Sequence, residues 1–186
     1  MGNQVNSKFD IRKMVYLAML TALVVVLQSV VAPFIGAATG LSPALVLVPF
    51  VLGAVICGLG AGVWLGLIFG IIVLLTDPTC APFLGHNLVM TIVLVLAKGI
   101  GAGVASGLVF KAFAKKNQMI AVVLAAIVAP IVNTGIFVVG CWLFFLEITG
   151  FEIYVLFTQV NFFIEFAVNI VLVPAIYKIL QILKAL

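Results

Sequence analysis

The sequence predicts an all-α integral membrane protein, a six-transmembrane-helix bundle with both termini cytoplasmic. Hydrophobic residues make up 66% of the chain and charged residues 8%, whereas a soluble domain is about half apolar and about a quarter charged. The mean hydropathy is +1.46. All but one of the nine basic residues lie near the two ends or around one short loop. Because cytoplasmic segments carry an excess of Lys and Arg, this pattern places both termini inside.

We predict one membrane domain over residues 1–186. Residues 1–10 are polar and are expected to be frayed, whereas the apolar run after them is about one membrane-spanning length. Prolines, glycines and small residues predict a first outer loop at residues 33–43. The helices are predicted at approximately 11–32, 44–57, 61–76, 88–113, 119–145 and 154–183.

The remaining connections are short. Residues 58–60 predict a tight inner turn, and residues 114–118 a basic inner loop. Residues 77–87 and 146–153, which include acidic side chains, predict the other two outer loops. This assignment puts the basic loop residues inside, as the positive-inside rule requires.

Glycines recur every four residues in two of the predicted helices. The first series is Gly58, Gly62, Gly66 and Gly70, and the second is Gly99, Gly103 and Gly107. Small residues at this spacing let two helix backbones approach closely in a membrane. We therefore predict close packing of both helices in a relatively rigid bundle.

Lys98 lies near the middle of the fourth predicted helix. A charge at mid-membrane costs roughly 2.5–3.5 kcal/mol on insertion scales, so it normally faces a partner or a cavity. Counting along the helices places Lys98, Asn133 and Glu165 about 15–18 Å below the outer edge, at 1.5 Å per residue. A lysine, an amide and a carboxylate at one depth on three helices predict a shared polar site.

Two interpretations of this site stay open. Lys98 contacts an anionic substrate, or Lys98 and Glu165 form a structural ion pair that never touches it, because buried charges are usually paired. Asn133 equally suits a cap for the backbone broken by the proline in its helix. The candidate substrate-binding residues are Lys98, Asn133, Asn161, Glu165 and Asn169 in the helices, Gln28 near the outer end of the first helix, and His86 and Asn87 in the second outer loop.

Several chemistries are excluded by the motifs. The chain lacks G-x-x-x-x-G-K-[ST], H-E-x-x-H and G-x-S-x-G, so we predict that it is not an enzyme and uses no cofactor. His86 and Asp77 are too few for a metal site, and the net charge of +4 reflects membrane orientation rather than nucleic-acid binding. Cys80 and Cys141 both fall toward the outside, and the sequence leaves a disulfide between them open.

Two stretches complete the pattern: Ala18-Met-Leu-Thr-Ala22 in the first helix, and VPFVLGAVICGLGAGVWLGLIFG from Val48 to Gly70. With the size, the six predicted helices and the basic amino end, they make nearly the whole chain similar to the substrate-binding S components of energy-coupling factor (ECF) vitamin transporters. The resemblance implies a vitamin or related micronutrient bound toward the outer side. It also implies that Ala18 and Ala22 pack on a transmembrane coupling subunit, and that two ATPase subunits on other chains drive uptake.

The substrate and the mode of transport have alternatives. One buried cation among several amides favours a small carboxylate, with pantothenate as the first guess. A stand-alone secondary transporter or channel, with Lys98 and Glu165 as a proton relay, is the alternative function, although no inverted repeat relates the two halves. A membrane-embedded transferase is disfavoured because the five acidic residues are spread along the chain. The sequence does not determine which vitamin is bound or the oligomeric state.

Overall fold

The computed structural model describes the backbone of residues 3–39, 45–149 and 151–183, and the side chains of 11–35, 45–148 and 160–183. Every regular element in these ranges is helical, as predicted. The elements are α1 (Asn3–Val26), a π-helical turn (Leu27–Val31), α2 (Ala32–Thr39), α3 (Leu47–Ile56), α4 (Leu59–Thr76), a 3₁₀ turn (Pro78–Cys80), α5 (Ala81–His86), α6 (Leu88–Phe113), α7 (Gln118–Phe144), α8 (Leu146–Thr149) and α9 (Phe151–Ile182).

The first helix is longer than predicted. α1, the π-helical turn and α2 run without interruption from Asn3 to Thr39. The frayed amino end and the outer loop are therefore wrong for residues 3–10 and 33–39, and residues 40–43 lie outside the described part of the chain. The backbone N–H of Ala32 bonds to the carbonyl of Leu27, five residues back. This wide turn leaves Pro33 at the start of a new helical segment, where a missing N–H is tolerated.

α3 is a short helix at the centre of the bundle. Its ten residues extend about 15 Å, roughly half of the apolar thickness of a bilayer. Nine of these ten residues are buried, and α3 contacts α1, α4, α6, α7 and α9. In the part of the chain that the structure describes, five other helices are long and apolar enough to span a membrane. Six full spans are therefore not confirmed, because the second predicted helix is a half-length, buried one.

α4 and α6 pack backbone against backbone along their glycines. A Cβ atom on Gly62 would lie 2.6 Å from the carbonyl oxygen of Gly103, and one on Gly99 would lie 2.5 Å from that of Gly66. Only glycine fits such an approach, so the close packing predicted for both series is confirmed at these four positions. The pair holds α6 firmly in the bundle, with the bounds that the sequence predicted.

Asparagine side chains set the starts of α6 and α7. Asn87 Oδ1 accepts a hydrogen bond from Met90 N at 3.1 Å. Asn117 Oδ1 accepts from Met119 N at 2.9 Å and Ile120 N at 3.1 Å. A cap of this kind contributes about 1 kcal/mol. The segment before α6, predicted as a loop, instead contains the 3₁₀ turn and α5, and the segment after α7 contains α8.

α7 and α9 pack antiparallel to each other and against α3. Their shared core includes Val122 and Ala126 of α7 and Val173 of α9. We call the end of the bundle that is predicted to be cytoplasmic the inner end and the opposite one the outer end. At the inner ends of α7 and α9, Gln118 Oε1 accepts hydrogen bonds from Tyr177 Oη at 3.5 Å and Gln181 Nε2 at 3.2 Å. These bonds fix the register of the two helices.

Candidate functional site

Lys98 lies on α6 between two aromatic rings. Its Nζ atom is 4.3 Å from the ring centroid of Phe137 on α7 and 5.8 Å from that of Phe69 on α4. A cation within about 6 Å of a ring face gains roughly 0.5–2 kcal/mol. The mid-helix ammonium is therefore stabilised by aromatic faces contributed by both neighbouring helices.

Aromatic side chains continue from Lys98 toward the outer end. The Phe83 ring of α5 lies 6.0 Å from that of Phe137 and 5.1 Å from that of Phe145, and the His86 ring lies 5.9 Å from that of Phe145. α5 thus rests on the outer parts of α6 and α7. Of the two loop residues predicted to bind substrate, His86 is exposed beside this cluster. The other, Asn87, caps α6.

The buried polar residues of α7 and α9 lie on the same helix faces as the apolar core between these two helices. On α7, Asn133 follows Ala129 by four residues, and on α9 Asn169 precedes Val173 by four. Asn133 and Glu165 are 5% exposed and Asn169 is 0% exposed. We call Asn133, Asn161, Glu165 and Asn169 the polar seam. The inner part of the α7–α9 contact is apolar and its outer part is polar.

The helix registers relate these residues in depth. Gln118 bonds to Tyr177 and Gln181, so Asn133, fifteen residues along α7, is level with about residues 162–166 of antiparallel α9. Lys98 contacts the ring of Phe137, which is four residues beyond Asn133. Phe137 therefore lies about one helical turn, roughly 5–6 Å, further out along α7 than Asn133.

The polar seam places hydrogen-bond acceptor atoms in the protein interior. The Oδ1 atoms of Asn133, Asn161 and Asn169 are buried and have no hydrogen-bond partner among the described residues. Asn169 Nδ2 donates to the backbone oxygen of Glu165 at 2.8 Å. Buried polar atoms are normally paired, and leaving one unpaired costs about 1–3 kcal/mol.

Gln28 lies apart from the polar seam in sequence and sits in the π-helical turn of the first helix. It is 3% exposed, and this turn contacts α4. π-turns occur often at functional sites, because the extra residue re-aims a side chain. The burial of Gln28 in a π-turn therefore suits a substrate contact, and this observation does not depend on the site around Lys98.

The described cysteines and acidic groups form neither a disulfide nor a metal site. No disulfide joins Cys57, Cys80 and Cys141 to one another. Burial raises the pKa of Cys80 to about 11, while Lys98 lowers it and Asp77 raises it by smaller amounts. No group of three or more metal-ligating side chains occurs among the residues that the structure describes.

Sequence reasoning missed the two rings that hold the lysine, Phe69 and Phe137. Phe137 had a detectable signal, because it lies four residues after Asn133 on one face of α7. Phe69 had a weaker one, since it only adjoins the glycine series of α4. Neither carries a polar group that would distinguish it from the phenylalanines facing lipid.

Comparison with known proteins agrees with this architecture. The family model described as "ECF transporter, substrate-specific component" matches residues 12–177. No curated protein and no solved structure gave a significant match. Members of the matched family are substrate-binding proteins of membrane transporters and not enzymes. Because the match covers most of a chain built from membrane-spanning helices, this protein belongs to the family of ECF transporter substrate-specific components.

Proposed function

We propose that this chain is the high-affinity substrate-binding subunit of an ECF-type ABC importer for a vitamin or related micronutrient, and that its substrate is a small carboxylate such as pantothenate. The observation that carries the proposal is the Lys98 ammonium, held at mid-helix between Phe69 and Phe137. The two ring faces stabilise the charge of Lys98, and no anion takes part in those two contacts. A carboxylate entering from the outer side would meet a positioned cation.

The substrate-binding residues proposed with Lys98 fall into two groups. The first is the polar seam, where Asn133 lies one helical turn further in than Phe137, the ring that contacts Lys98. Toward the outer end, His86, Asn87 and Gln28 lie on segments that a substrate passes or contacts. The aromatic rings beside Lys98 suit the apolar part of such a substrate.

A partner surface is proposed on α1. Ala18 and Ala22 are exposed on this helix, and only 11% of its membrane-spanning window is buried inside the chain, less than for any other described span. Trp64 Nε1 of α4 donates to Thr21 Oγ1 at 3.2 Å, which fixes the orientation of α1. The small face of Ala18 and Ala22 therefore suits a helix of the coupling subunit, while the ATPase subunits act on that partner.

The test begins with the purified protein. Mass spectrometry of the small molecules that co-purify in mild detergent should find a carboxylate, and isothermal calorimetry should detect pantothenate binding. Lys98→Met keeps the length of the side chain and removes its charge. We expect a loss of roughly 2–5 kcal/mol in binding free energy, the usual result of truncating one partner of a buried charged contact.

The double variant Lys98→Met, Glu165→Gln separates the two interpretations of the lysine. If Lys98 contacts substrate, the double variant is stable but does not bind the substrate. If Lys98 only balances Glu165, the single variant folds poorly and the double variant recovers both expression and binding, because replacing a buried pair together costs far less than breaking it. Near-native affinity in the double variant would remove Lys98 from the binding site.

A further inference from the structure

The three asparagines of the polar seam have the same kind of buried, unpartnered atom. A carboxamide has one acceptor oxygen and two donor hydrogens, yet in Asn133, Asn161 and Asn169 the buried atom without a partner among the described residues is the oxygen. Asn133 and Asn169 are at least nine-tenths buried. Three buried acceptor oxygens therefore lie on two helices that pack together, α7 and α9.

The orientation of one of these amides follows from its hydrogen bond. Asn169 contacts the backbone oxygen of Glu165 at 2.8 Å, and a carbonyl oxygen can only accept. The nitrogen of Asn169 must face that carbonyl, so its Oδ1 atom is the end that remains. An exchange of nitrogen and oxygen would place two acceptors in contact and is excluded on that ground.

The seam lies further in than the ring that contacts Lys98. Asn133 lies one helical turn inward of Phe137 on α7, and Asn169 lies one turn inward of Glu165 on α9. Each turn corresponds to about 5–6 Å along the helix axis. The two ends have opposite character, since a lysine only donates.

We infer that the polar seam is a subsite for a hydrogen-bond donor, and that the substrate carries an N–H or O–H group at least one helical turn, about 5 Å, from its carboxylate. The carboxylate lies against Lys98, and the donor pairs with the amide oxygens of Asn133 and Asn169. This inference rests on the proposed function and narrows its substrate class to two-ended molecules.

The test uses three probes of matched length: 6-aminohexanoate, 6-hydroxyhexanoate and hexanoate. Binding to the purified full chain is measured by saturation-transfer NMR titration. We expect the amine and the alcohol to bind at least tenfold more tightly than hexanoate. In Asn133→Leu and in Asn169→Leu this preference should fall below threefold.

A matched control and a stability measurement separate binding from folding. Gln118→Leu removes an amide at the inner end of the same helix pair and should keep the tenfold preference. Thermal unfolding of the two seam variants should occur at an unchanged or higher temperature, because an apolar side chain replaces an unpaired buried oxygen. A lower unfolding temperature in both variants, with the preference retained, would show that the amides serve the fold and would overturn the inference.

The binding results that would contradict the donor subsite differ from those that would contradict the carboxylate site. Equal binding of all three probes, weakened at least tenfold by Lys98→Met, would reject the donor subsite and leave the carboxylate site standing. Binding of none of the probes would reject the carboxylate site and, with it, the inference that depends on it. Tighter binding of hexanoate than of the other two would assign the seam to an apolar group instead.

Discussion

Cys80 is a reporter of the charge on Lys98. Burial holds its pKa at about 11, and Lys98 counteracts part of that rise while Asp77 adds to it. Near pH 8 its thiolate fraction should be roughly 100-fold or more below that of an exposed thiol. We expect Lys98→Met to raise the pKa further and Asp77→Asn to lower it.

Alkylation rates between pH 7 and 11 measure these shifts. The protein carries Cys57→Ser and Cys141→Ser, so that iodoacetamide reports Cys80 alone, and the denatured chain supplies the unshifted reference. An apparent pKa near that of the denatured chain would contradict the burial of this thiol. A shift in the opposite direction on Lys98→Met would show that the ammonium does not act on Cys80.

Individual polar residues of the site could be predicted from the sequence because each stands out in an apolar helix. Lys98 and Glu165 are charges inside predicted spans, and helical counting related their depths. The contacts of Lys98 could not be predicted, since Phe69 and Phe137 differ from lipid-facing phenylalanines only in packing. The sequence suggested an anionic partner for the lysine, whereas the structure describes aromatic faces.

The contact between α4 and α6 gives a prediction for helix elements. Gly62→Ala places a Cβ atom 2.6 Å from the Gly103 carbonyl oxygen, whereas nothing lies within 4 Å of a Cβ atom at Gly135. We expect Gly62→Ala to destabilise the protein by roughly 1–3 kcal/mol, the cost of overpacking. Gly135→Ala in α7 should be neutral or slightly stabilising, since alanine favours helix.

Thermal unfolding in a single detergent compares these two variants with the parent chain. Equal unfolding temperatures for Gly62→Ala and Gly135→Ala would mean that α4 and α6 separate at no cost. The four-residue spacing predicted this contact directly from the sequence. Helix ends were harder to predict. Pro33 and Gly36 are usual loop signals, whereas in the structure both belong to α2, which follows the π-helical turn directly.

The exposed small face of α1 gives a second prediction at this scale. Ala18→Trp and Ala22→Trp should leave substrate affinity within threefold but abolish energised uptake, because a bulky ring blocks close helix approach. Leu23→Trp is the matched control, since Leu23 is 43% exposed and lies roughly 100–140° around the same helix from Ala22 and Ala18. Radiolabelled uptake in cells expressing the complete transporter, beside binding to purified protein, tests it. Normal uptake in both alanine variants would exclude this face from docking.

At the scale of the whole molecule, the helix packing gathers the basic residues at one end. Cys57 Sγ donates to the backbone oxygen of Lys13 at 3.5 Å, so α1 passes beside the α3–α4 turn at Lys13. The start of α4 lies beside the end of α6, where Leu59 contacts Gly107, and the start of α7 bonds to the end of α9. The exposed basic side chains at this end are Arg12, Lys13, Lys111, Lys115, Lys116 and Lys178.

The opposite end carries Asp77, Glu147 and the short helices α5 and α8. Asp77 precedes α5, Glu147 lies in α8, and α5 contacts α8. This division was predicted from loop charges alone and now has a three-dimensional basis in the helix contacts. The orientation of the bundle in the membrane stays a prediction, because contacts between helices do not show which end faces the cytoplasm.

Cysteine labelling in intact cells decides that orientation. Because Lys and Arg are retained on the cytoplasmic side, a cysteine at Lys116→Cys should be protected from a membrane-impermeant maleimide, and one at Glu147→Cys should react. Both side chains are exposed, so protection cannot arise from burial in the chain. The native cysteines are first replaced by serine, and permeabilised cells serve as the control in which both positions react. Labelling of position 116 but not 147 in intact cells would invert the bundle. It would also move the aromatic cluster around Phe83 to the cytoplasmic side, where a subunit that captures an external substrate could not use it.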